Sequence, residues 1–416
     1  MGNFGIRAAA RAILFYVLAP ASAFAQPGSD YRWLQYVPRG LEARAITHAA
    51  QCPPAAVDGR AAHMHVRAKP GPDYPVLVCS LSLPARAVSA SIDGLPLVLP
   101  KARPRRILLV GDTGCRLKGR AAQSCNDEAA WPFPGGAKFV ARLQADLVIH
   151  LGDFHYRESA CPSGDKGCAG SPFGDTWDVW RDDFFAPAAP LLAAAPFVFV
   201  RGNHEECDRG GKGWSRALDP YAFAGADGCL RPGEPFTVRL GDISLYVMDV
   251  ATADEGAANK QQAARFTRQF SGIAKLGSKP VWIAMHRPIW APAVALLGYV
   301  EGDNKTLALA ARHALPATVQ AILSGHIHTF MALAYAEDLP VQIISGHGGD
   351  TLHPTAPADP VGLVINGVTA KAGVGTPNTF GYALLEKEDT GWRLTNYDFT
   401  GAPQASCRLE GRTLAC

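Results

Sequence analysis

The sequence predicts an α/β fold, in which buried and largely parallel strands form a sandwich with helices. Short apolar runs that are rich in β-branched residues recur from residue 107 onward, and each ends abruptly in a polar turn that carries Gly or His. Runs this short and this apolar are typical of buried strands. Helical patterns lie between several of them, and an alternation of strands with helices favours a mainly parallel sheet.

The predicted elements follow one another in a regular order. Strands are predicted at 107–110, 147–151, 197–200, 281–285, 321–323 and 341–344. Helical patterns occupy 137–144, 178–195 and 257–270. Segments 380–386 and 392–399 flank Asp389-Thr390-Gly391, which predicts a β-hairpin that covers the end of the sheet.

The first 25 residues predict a cleavable signal peptide. Arg7 and Arg11 supply positive charge, residues 12–18 are apolar, and Ala23-Phe24-Ala25 provides the small residues that precede a cleavage site. The alternative is a membrane anchor, but the apolar run is shorter than the roughly 20 residues that a spanning helix needs. The sequence therefore predicts a secreted or periplasmic protein without a stable membrane anchor.

Residues 26–104 differ in composition from the rest of the chain. They are rich in Pro and Ala, contain β-like stretches at 62–66 and 76–83, and are followed by a polar, Pro-containing break at 101–106. We expect a small β-rich N-terminal module here and a larger domain over 105–416. With 416 residues, 48% of them hydrophobic, the chain is long enough for more than one compact unit.

Ten cysteines are consistent with export to an oxidising compartment. Their even number and short separations favour pairing between neighbours along the chain. The expected disulfide bonds are Cys52–Cys79, Cys115–Cys125, Cys161–Cys168, Cys207–Cys229 and Cys407–Cys416. The rival interpretation is metal binding by thiolates, but the sequence contains no Cys-x-x-Cys pair.

The charge and the absent motifs exclude several classes of function. The net charge is only +3 and the basic residues are scattered, so no nucleic-acid-binding patch is expected. The sequence lacks the Gly-x-Ser-x-Gly elbow of serine hydrolases, the His-Glu-x-x-His zinc helix and the Gly-x-Gly-x-x-Gly dinucleotide loop.

Oxygen and nitrogen donors gather at the ends of the predicted strands. They are Asp112, Asp153, Tyr156, Asn203, His204, His286, His326 and His328. Because parallel strands finish at one edge of a sheet, where ligands bind, these side chains are expected to converge. A single Asp-Gly or Gly-His pair is more often turn chemistry. Donors from five separate loops are hard to explain by packing, and together they predict a metal site.

These residues also form an ordered set of motifs. The motifs are Gly111-Asp112-Thr113-Gly114, Gly152-Asp153-Phe154-His155-Tyr156, Gly202-Asn203-His204-Glu205, the isolated His286, and Gly325-His326-Ile327-His328. In order, spacing and flanking strands, the set resembles that of the calcineurin-like metallophosphoesterases over about residues 105–350. The resemblance implies a four-layer α/β/β/α sandwich.

Two details resemble the purple acid phosphatases within that family. Asp112-Thr113-Gly114 stands where many members carry Asp-x-His, and Tyr156 follows Asp153 by three residues. The tyrosine binds ferric iron in purple acid phosphatases, and a phenolate suits a hard cation. The alternative for Tyr156 is an aromatic core residue at a strand end.

The resemblance implies two metal ions as cofactors. Fe(III) would be bound by Asp112, Asp153, Tyr156 and His328. A divalent Zn, Fe or Mn ion would be bound by Asp153, Asn203, His286 and His326. Asp153 would therefore bridge the two ions.

The implied function is hydrolysis of a phosphate monoester by attack of a metal-bound hydroxide. Asp153 and His204 would be the catalytic residues, with His204 contacting phosphate or protonating the leaving group. His155, Arg287 and His347 are candidate substrate contacts, and ordinary structural roles are the open alternatives for them.

Two other functions remain as alternatives. A phosphodiesterase or nucleotidase of the same fold is the nearer one, because the loops of the pocket decide between these substrates. A non-catalytic iron- or phosphate-binding protein is the second, although a binding protein would not need the leaving-group acid His204.

Overall fold

A computed structural model of the chain describes residues 1–2, 30–225, 229, 232–295, 298–300, 304–353 and 356–416. Most of the predicted signal peptide lies outside the described residues. Within them, none of the helices is long and apolar enough to cross a membrane.

Six α-helices form in the described part of the chain. They are α1 (Phe133–Ala141), α2 (Trp177–Trp180), α3 (Ala186–Ala194), α4 (Gly211–Gly213), α5 (Lys260–Gly272) and α6 (Lys305–Ala311). π-helical turns at Arg181–Phe185 and Trp214–Leu218, and 3₁₀ turns at Asn203–Glu205 and Ile273–Leu276, adjoin or separate these helices.

The described residues also form 27 strands. These are β1 (Tyr31–Val37), β2 (Gly40–Thr47), β3 (Ala55–Val57), β4 (Arg60–Ala62), β5 (His65–Ala68), β6 (Leu77–Leu83), β7 (Ala90–Ile92), β8 (Leu95–Pro96), β9 (Arg106–Val110), β10 (Leu117–Lys118), β11 (Ala121–Ala122), β12 (Leu147–His150), β13 (Phe197–Phe199), β14 (Phe236–Leu240), β15 (Ile243–Val247), β16 (Val281–Ala284), β17 (Ala293–Ala295), β18 (Gly298–Val300), β19 (Val319–Ser324), β20 (Phe330–Tyr335), β21 (Val341–Ser345), β22 (Val364–Ile365), β23 (Val368–Thr376), β24 (Gly381–Lys387), β25 (Trp392–Asp398), β26 (Pro403–Glu410) and β27 (Thr413–Ala415).

The six strands predicted from the sequence divide between two sheets. The first sheet has 11 strands in the order β27-β26-β25-β24-β9-β12-β13-β1-β2-β6-β5, and β9, β12 and β13 are parallel at its centre. The second has eight strands in the order β14-β15-β16-β19-β21-β20-β23-β22, with β15, β16, β19 and β21 parallel. Each sheet therefore contributes three of the predicted strand ends.

Side-chain alternation along the central strands builds the layers. In β9, Ile107 and Leu109 pack into the core between the two sheets, whereas Leu108 and Val110 pack outward against α1 and α3. On the second sheet, Ile283 packs against α5 and α6 in a separate outer core. The expected α/β/β/α sandwich is confirmed.

Local chemistry accounts for the helix that covers the second sheet. The side chain of Asn259 accepts hydrogen bonds from the backbone N–H groups of Gln261 and Gln262, both at 3.1 Å, and so caps the start of α5. Ala263, Phe266 and Phe270 then recur at helical spacing and form its buried face.

The N-terminal segment is rich in strands, as expected, but several of them belong to the main sheet. β1 pairs in parallel with β13 through Gln35 and Phe197, and β2, β6 and β5 continue the same sheet outward. A small sheet in the order β4-β3-β7-β8 packs over its own apolar cluster. The boundary at residue 104 stays a prediction.

Two details differ from the sequence prediction. The hairpin β24–β25 does not cover the sheet; β24 pairs antiparallel with β9 and widens the first sheet sideways. The helix predicted over 178–195 contains a π-helical turn at Arg181–Phe185 between α2 and α3. All five predicted disulfide bonds are present.

Candidate metal centre

The turns that follow the central strands of the two sheets meet at one end of the sandwich. Asp112 follows β9 of the first sheet, and His326 follows β19 of the second. The backbone N–H of His326 donates to Oδ2 of Asp112 at 2.9 Å, so the two edges are in direct contact. The predicted convergence therefore arises between two sheets and not along the edge of one.

The first group of donors surrounds the hydroxyl of Tyr156. Its oxygen lies 3.0 Å from Oδ1 of Asp112, 3.0 Å from Oδ2 of Asp153 and 3.1 Å from Nε2 of His328. The opposite ring nitrogen, Nδ1 of His328, is 2.7 Å from the carbonyl oxygen of Thr351, which leaves Nε2 directed at the cluster.

The second group of donors surrounds Nε2 of His286. This nitrogen lies 3.0 Å from Oδ1 of Asn203, 3.1 Å from Oδ2 of Asp153 and 3.3 Å from Nδ1 of His326. Nδ1 of His286 is 2.7 Å from the carbonyl oxygen of Leu151. The same oxygen of Asp153 thus belongs to both groups.

The backbone of the centre is held in an uncommon conformation. Asp112, Asp153 and His326 have φ values of 57°, 57° and 72°, in the left-handed region. For residues with a side chain such conformations cost of order 1–3 kcal/mol each and gather at functional sites. Close approach also requires glycine, because a Cβ on Gly202 would lie 2.0 Å from Oδ1 of Asp153.

Two buried carboxylates shape the turn that carries Asp153 and Tyr156. Glu205 accepts the backbone N–H groups of Gly202, Asp153, Phe154 and His155 at 2.8–3.1 Å. Asp183, from the π-helical turn between α2 and α3, accepts the N–H of Tyr156 at 2.9 Å. π-helical turns are frequent at functional sites, and this π-helical turn places the Asp183 carboxylate beside the backbone of Tyr156.

A buried ion pair adjoins the Tyr156 group. Arg116, in the insert that the Cys115–Cys125 disulfide closes, donates from Nε to Oδ1 of Asp350 at 2.9 Å and also binds its other oxygen. Oδ2 of Asp350 lies 3.4 Å from Nδ1 of His328. The guanidinium of Arg116 stands 5.2 Å from the centroid of the Tyr156 ring.

His204 lies beside the cluster without joining either donor group. Its ring is 3.9 Å from that of Tyr156, centroid to centroid, and its Nε2 is 3.9 Å from Oδ2 of Asp153. Its Nδ1 contacts Oε1 of Glu158 at 2.8 Å and Nη2 of Arg209 at 2.7 Å. Nε2 therefore faces the cluster, and Nδ1 is held by Glu158 and Arg209.

Arg287 lies at the outer side of the second donor group. Its Nη1 is 3.3 Å from Nε2 of His326, its Nε donates to the carbonyl oxygen of Ala251 at 3.1 Å, and it forms an ion pair with Glu255. Glu255 also reaches Nε2 of His326 at 2.6 Å. Arg287 thus stands where a phosphate bound at the cluster could meet a cation.

The electrostatics of the cluster fit a pair of cations. Burial, together with the carboxylates of Asp112 and Asp153, holds the pKa of Tyr156 well above its ordinary value. Burial also raises the pKa of Asp112, whereas the charges of His286 and His204 outweigh burial and hold that of Asp153 well below its ordinary value. Three acidic oxygens meet at one point, and positive ions in contact with them would favour their charged forms.

The pKa values of neighbouring side chains are shifted by the same charges. Asp153 outweighs the effect of burial and raises the pKa of His286 to about 9. Burial would raise the pKa of Glu158, but the hydrogen bond from His204 and the charge of Arg209 lower it to about 2. Glu158 is therefore an anion beside His204.

Two of the three candidate substrate contacts are held by residues outside the two donor groups. His155 is buried, with Nε2 3.0 Å from the carbonyl oxygen of Gly174 and its ring against Trp180. His347 is also buried, with Nε2 2.8 Å from Oδ1 of Asn396. Nδ1 of each ring has no hydrogen-bond partner among the described residues. The contacts of Nε2 favour structural roles, and of the three candidates Arg287 lies beside the donors.

Several side chains of the site were not assigned from the sequence. Glu205 follows His204 directly and Glu158 follows Tyr156 by two residues, so their closeness to the motifs was a usable signal. Arg116 likewise follows Gly114 of the first motif by two residues. Asp183 and Glu255 carry no such signal, because they reach the site from a helical turn and a distant loop.

A double-sheet sandwich that brings Asp, Asn and His donors together at its strand ends defines a class of metal-dependent hydrolases. The family model of the calcineurin-like phosphoesterases matches residues 105–330, more than half of the chain, and the chain belongs to this family. The family indicates a metal-dependent phosphoesterase and typically uses a dinuclear metal centre. The resemblance of the motifs is thereby confirmed.

Solved structures support the same fold. The purple acid phosphatase PPD1 from yellow lupin (Lupinus luteus) seeds is similar with a TM-score of 0.58 and 11% identity, over 91% of this chain and 74% of that chain. The structure of PhoD is similar with a TM-score of 0.50 and 10% identity, over 94% and 90% of the two chains. At such identities the similarity concerns the fold alone. A comparison with curated proteins found no match.

Proposed function

We propose that this chain is a secreted phosphomonoesterase of the purple acid phosphatase type, with Fe(III) at Tyr156 and a divalent Zn, Fe or Mn ion beside it. The observation that carries the proposal is the position of the Tyr156 hydroxyl, 3.0 Å from carboxylate oxygens of both Asp112 and Asp153. A buried phenolate between two carboxylates is unfavourable by itself and becomes favourable as a ligand of a hard cation.

The donor groups divide between the two ions. Fe(III) would be bound by Asp112, Asp153, Tyr156 and His328, and the divalent ion by Asp153, Asn203, His286 and His326. Two carboxylates and one phenolate leave a surplus of about +2 beside a trivalent and a divalent cation. The chemistry that such ions supply is Lewis acidity, which lowers the pKa of water and offsets the charge of a phosphate.

His204 is the general acid of the proposed reaction. The Glu158 carboxylate accepts from Nδ1 and favours the charged imidazolium, while Nε2 faces the cluster. Burial outweighs this charge and lowers the pKa of His204 below its ordinary value, which makes the imidazolium a stronger acid. Nε2 is then the atom that delivers a proton to the oxygen of the leaving alcohol. Arg209, hydrogen-bonded to the same carboxylate at 2.8 Å, keeps Glu158 in position.

Arg287 is the proposed phosphate contact. Its guanidinium is fixed by Ala251 and Glu255 and lies beside His326 of the second donor group. A planar fork of donors matches the oxygens of a phosphate, so Arg287 would orient the substrate. We expect Arg287→Lys to raise KM more than it lowers kcat, since charge remains but the fork is lost.

The metal assignment is tested by spectroscopy. Aerobically purified protein should show a broad visible charge-transfer band from phenolate to Fe(III), and Tyr156→Phe should remove it. Tyr382→Phe, a tyrosine in β24, is the matched control and should keep the band. A colourless, active protein filled with zinc or manganese would refute the iron assignment while leaving the phosphoesterase assignment intact.

The substrate class is tested with esters at fixed metal content. A phosphomonoesterase should hydrolyse p-nitrophenyl phosphate much faster than bis(p-nitrophenyl) phosphate, which has the same leaving group. Faster hydrolysis of the diester would assign the chain to phosphodiesterases. Preference for nucleoside monophosphates over the aryl monoester would indicate a nucleotidase.

Export is the remaining part of the proposal. It is supported by the charged and apolar pattern of residues 1–25 and by five disulfide bonds, which persist in oxidising compartments. Expression of the full chain should yield extracellular or periplasmic protein whose N-terminus begins after Ala25. Retention of the intact chain in the cytoplasm would contradict it.

A further inference from the structure

A cavity of about 650 Å³ lies where the N-terminal segment meets the main domain. Its walls come from residues 66–74, which include the end of β5 and the segment after it, and from residues 212–225 around the π-helical turn Trp214–Leu218. The described lining residues include none of the donors of the metal centre. We propose that this cavity is a second binding site, specific for a small organic anion with a flat apolar body.

Positive charge dominates the walls of this cavity. Arg67, Lys69, Lys212 and Arg216 line it, and Asp73 is the acidic residue among the described lining residues. Asp73 is engaged at 3.1 Å by Nζ of Lys212. Neither Arg67 nor Arg216 forms an ion pair with a carboxylate of the described residues, although Asp219 and Glu42 near Arg67 and Asp175 near Arg216 offset part of their charge. The walls therefore carry an excess of positive charge.

Arg216 is the buried anchor of the site. The residue is 8% exposed, and its guanidinium stands 5.1 Å from the ring centroid of Tyr74 and 5.4 Å from that of Phe223. One terminal nitrogen donates to the carbonyl oxygen of Lys69. Its Nε is buried and has no hydrogen-bond partner among the described residues, which leaves a charged donor unsatisfied.

Arg67 holds the facing wall in position. Its Nε and Nη2 donate to the carbonyl oxygens of Arg216, Ser215 and Asp219 at 2.8, 2.8 and 2.9 Å. Burial and the nearby charge of Arg44 lower the pKa of Arg67 to about 9. A buried cation bound only by neutral carbonyls is stabilised when an anion approaches.

The apolar part of the walls selects the body of the ligand. Pro70, Pro72, Tyr74 and Phe223 face the cavity alongside the cations. A volume of about 650 Å³ lies within the range of roughly 300–1,000 Å³ that is usual for small-molecule sites. An aromatic or similarly flat molecule with a phosphate, sulfonate or carboxylate group would match both the apolar walls and the cations.

Naphthalene-2-sulfonate is a suitable probe, because a sulfonate resists phosphoester hydrolysis. Isothermal titration calorimetry of the full, metal-loaded protein should give saturable binding of one equivalent. Arg216→Gln and Lys69→Glu should each weaken binding roughly tenfold or more, the size expected for a lost charge-assisted contact. The neutral analogue 2-naphthalenemethanol should bind at least about tenfold more weakly than the sulfonate.

Two controls separate this site from the metal centre. Asn203→Ala, in the second donor group, should leave binding of the probe unchanged, and Lys166→Glu, an exposed lysine elsewhere, should do the same. Lys69 is exposed, so Lys69→Glu decides the outcome if Arg216→Gln lowers the melting temperature too far for titration.

Three results would overturn the proposal. The first is an absence of saturable binding to the wild-type protein at millimolar probe. The second is an unchanged affinity in folded Lys69→Glu, and the third is a loss of binding in Asn203→Ala, which would assign the probe to the metal centre. Ester hydrolysis by the wild-type protein is a separate readout, so this site and the proposed function succeed or fail independently.

Discussion

The two halves of the metal centre differ in how the protein encloses them. Around Tyr156, the side chains of Asp112 and Tyr156 are fully buried, and Asp183 and Asp350 brace the turn and the histidine. Around His286, the side chain of His326 is 15% exposed and touches Glu255, which is itself 43% exposed. One half is therefore a closed cage and the other opens towards solvent.

This difference has a consequence for the two ions. An ion in the closed half exchanges only if buried donors open, whereas an ion in the open half can be reached by water and by competing ligands. We expect the ion at Tyr156 to be retained through purification and the ion at His326 to exchange. In the proposed reaction, a phosphate ester would reach Arg287 through the same opening.

The largest expected effect comes from the one residue that the two halves share. Asp153→Ala removes the oxygen that lies 3.0 Å from Tyr156 and 3.1 Å from His286, so both ions should be lost. Ester hydrolysis should fall to the background rate, and elemental analysis should find less than one metal ion per chain. Asp389→Ala, an exposed acid in the terminal hairpin, should keep both ions. Two retained ions in folded Asp153→Ala would contradict the bridging role.

A change confined to the open half should separate the ions. His326→Ala removes one donor of the second group, and we expect the metal content to fall from two ions to one while the visible band at Tyr156 remains. Activity should fall by about 100-fold or more, since a misplaced reacting group alone costs about that much. Loss of the band together with the second ion would show that the halves are not independent.

A change behind the closed half should have a smaller effect. Asp350→Asn keeps the shape of the side chain but removes the charge that holds Arg116 and faces Nδ1 of His328. Changes of this kind typically cost about 10–100-fold in metal affinity or activity. Competition with a chelator should reveal faster loss of the ion at Tyr156. An unchanged rate of metal loss would mean that the ion pair between Arg116 and Asp350 does not help to retain the ion at Tyr156.

The smallest expected effect is on the pH dependence of the free energy of unfolding, through the buried side chain of His347. Burial lowers the pKa of His347 to about 4, against about 6.5 in an unfolded chain. Its folded form thus binds fewer protons, and its contribution is complete above about pH 6.5 and declines as the pH falls towards 4. The free energy of unfolding should lose about 3 kcal/mol through this residue between pH 7 and pH 4.

His347→Gln should remove that part of the pH dependence. Urea unfolding of the variant and the wild-type protein at several pH values measures the difference between them, and this difference should shrink as the pH falls. His313→Gln, at an exposed histidine, should leave the wild-type profile unchanged. A constant difference across the range would contradict the burial argument for His347.

The central strands and the donor residues could be predicted because both are local patterns. The run at residues 107–110 is apolar and β-branched, and Asp112 follows it at the point where a parallel strand must end. The pairing of Cys115 with Cys125 could be predicted for a similar reason, since a short separation favours closure. Periodicity could not show that β24 pairs with β9, because edge pairing depends on distant parts of the chain.

Long-range pairing also limits what could be predicted for residues 31–83. Their strand character is visible in the sequence, but the parallel pairing of β1 with β13 joins positions more than 150 residues apart. Nothing in the composition of either segment specifies that contact. The segment was therefore expected to be a module beside the main domain, whereas its longest strands continue the main sheet.

By itself the sequence determined which side chains could serve as metal donors, because donor type and position after a strand are properties of short segments. Only the tertiary structure decided how those side chains are supported: that two sheets share the site, that Arg116 and Asp350 brace one half, and that Nε2 of His155 and of His347 contacts Gly174 and Asn396. The physical reason is that a buried carboxylate or guanidinium is satisfied by whichever partner the folded chain brings within about 3 Å, and that partner is set by packing over long distances in the sequence.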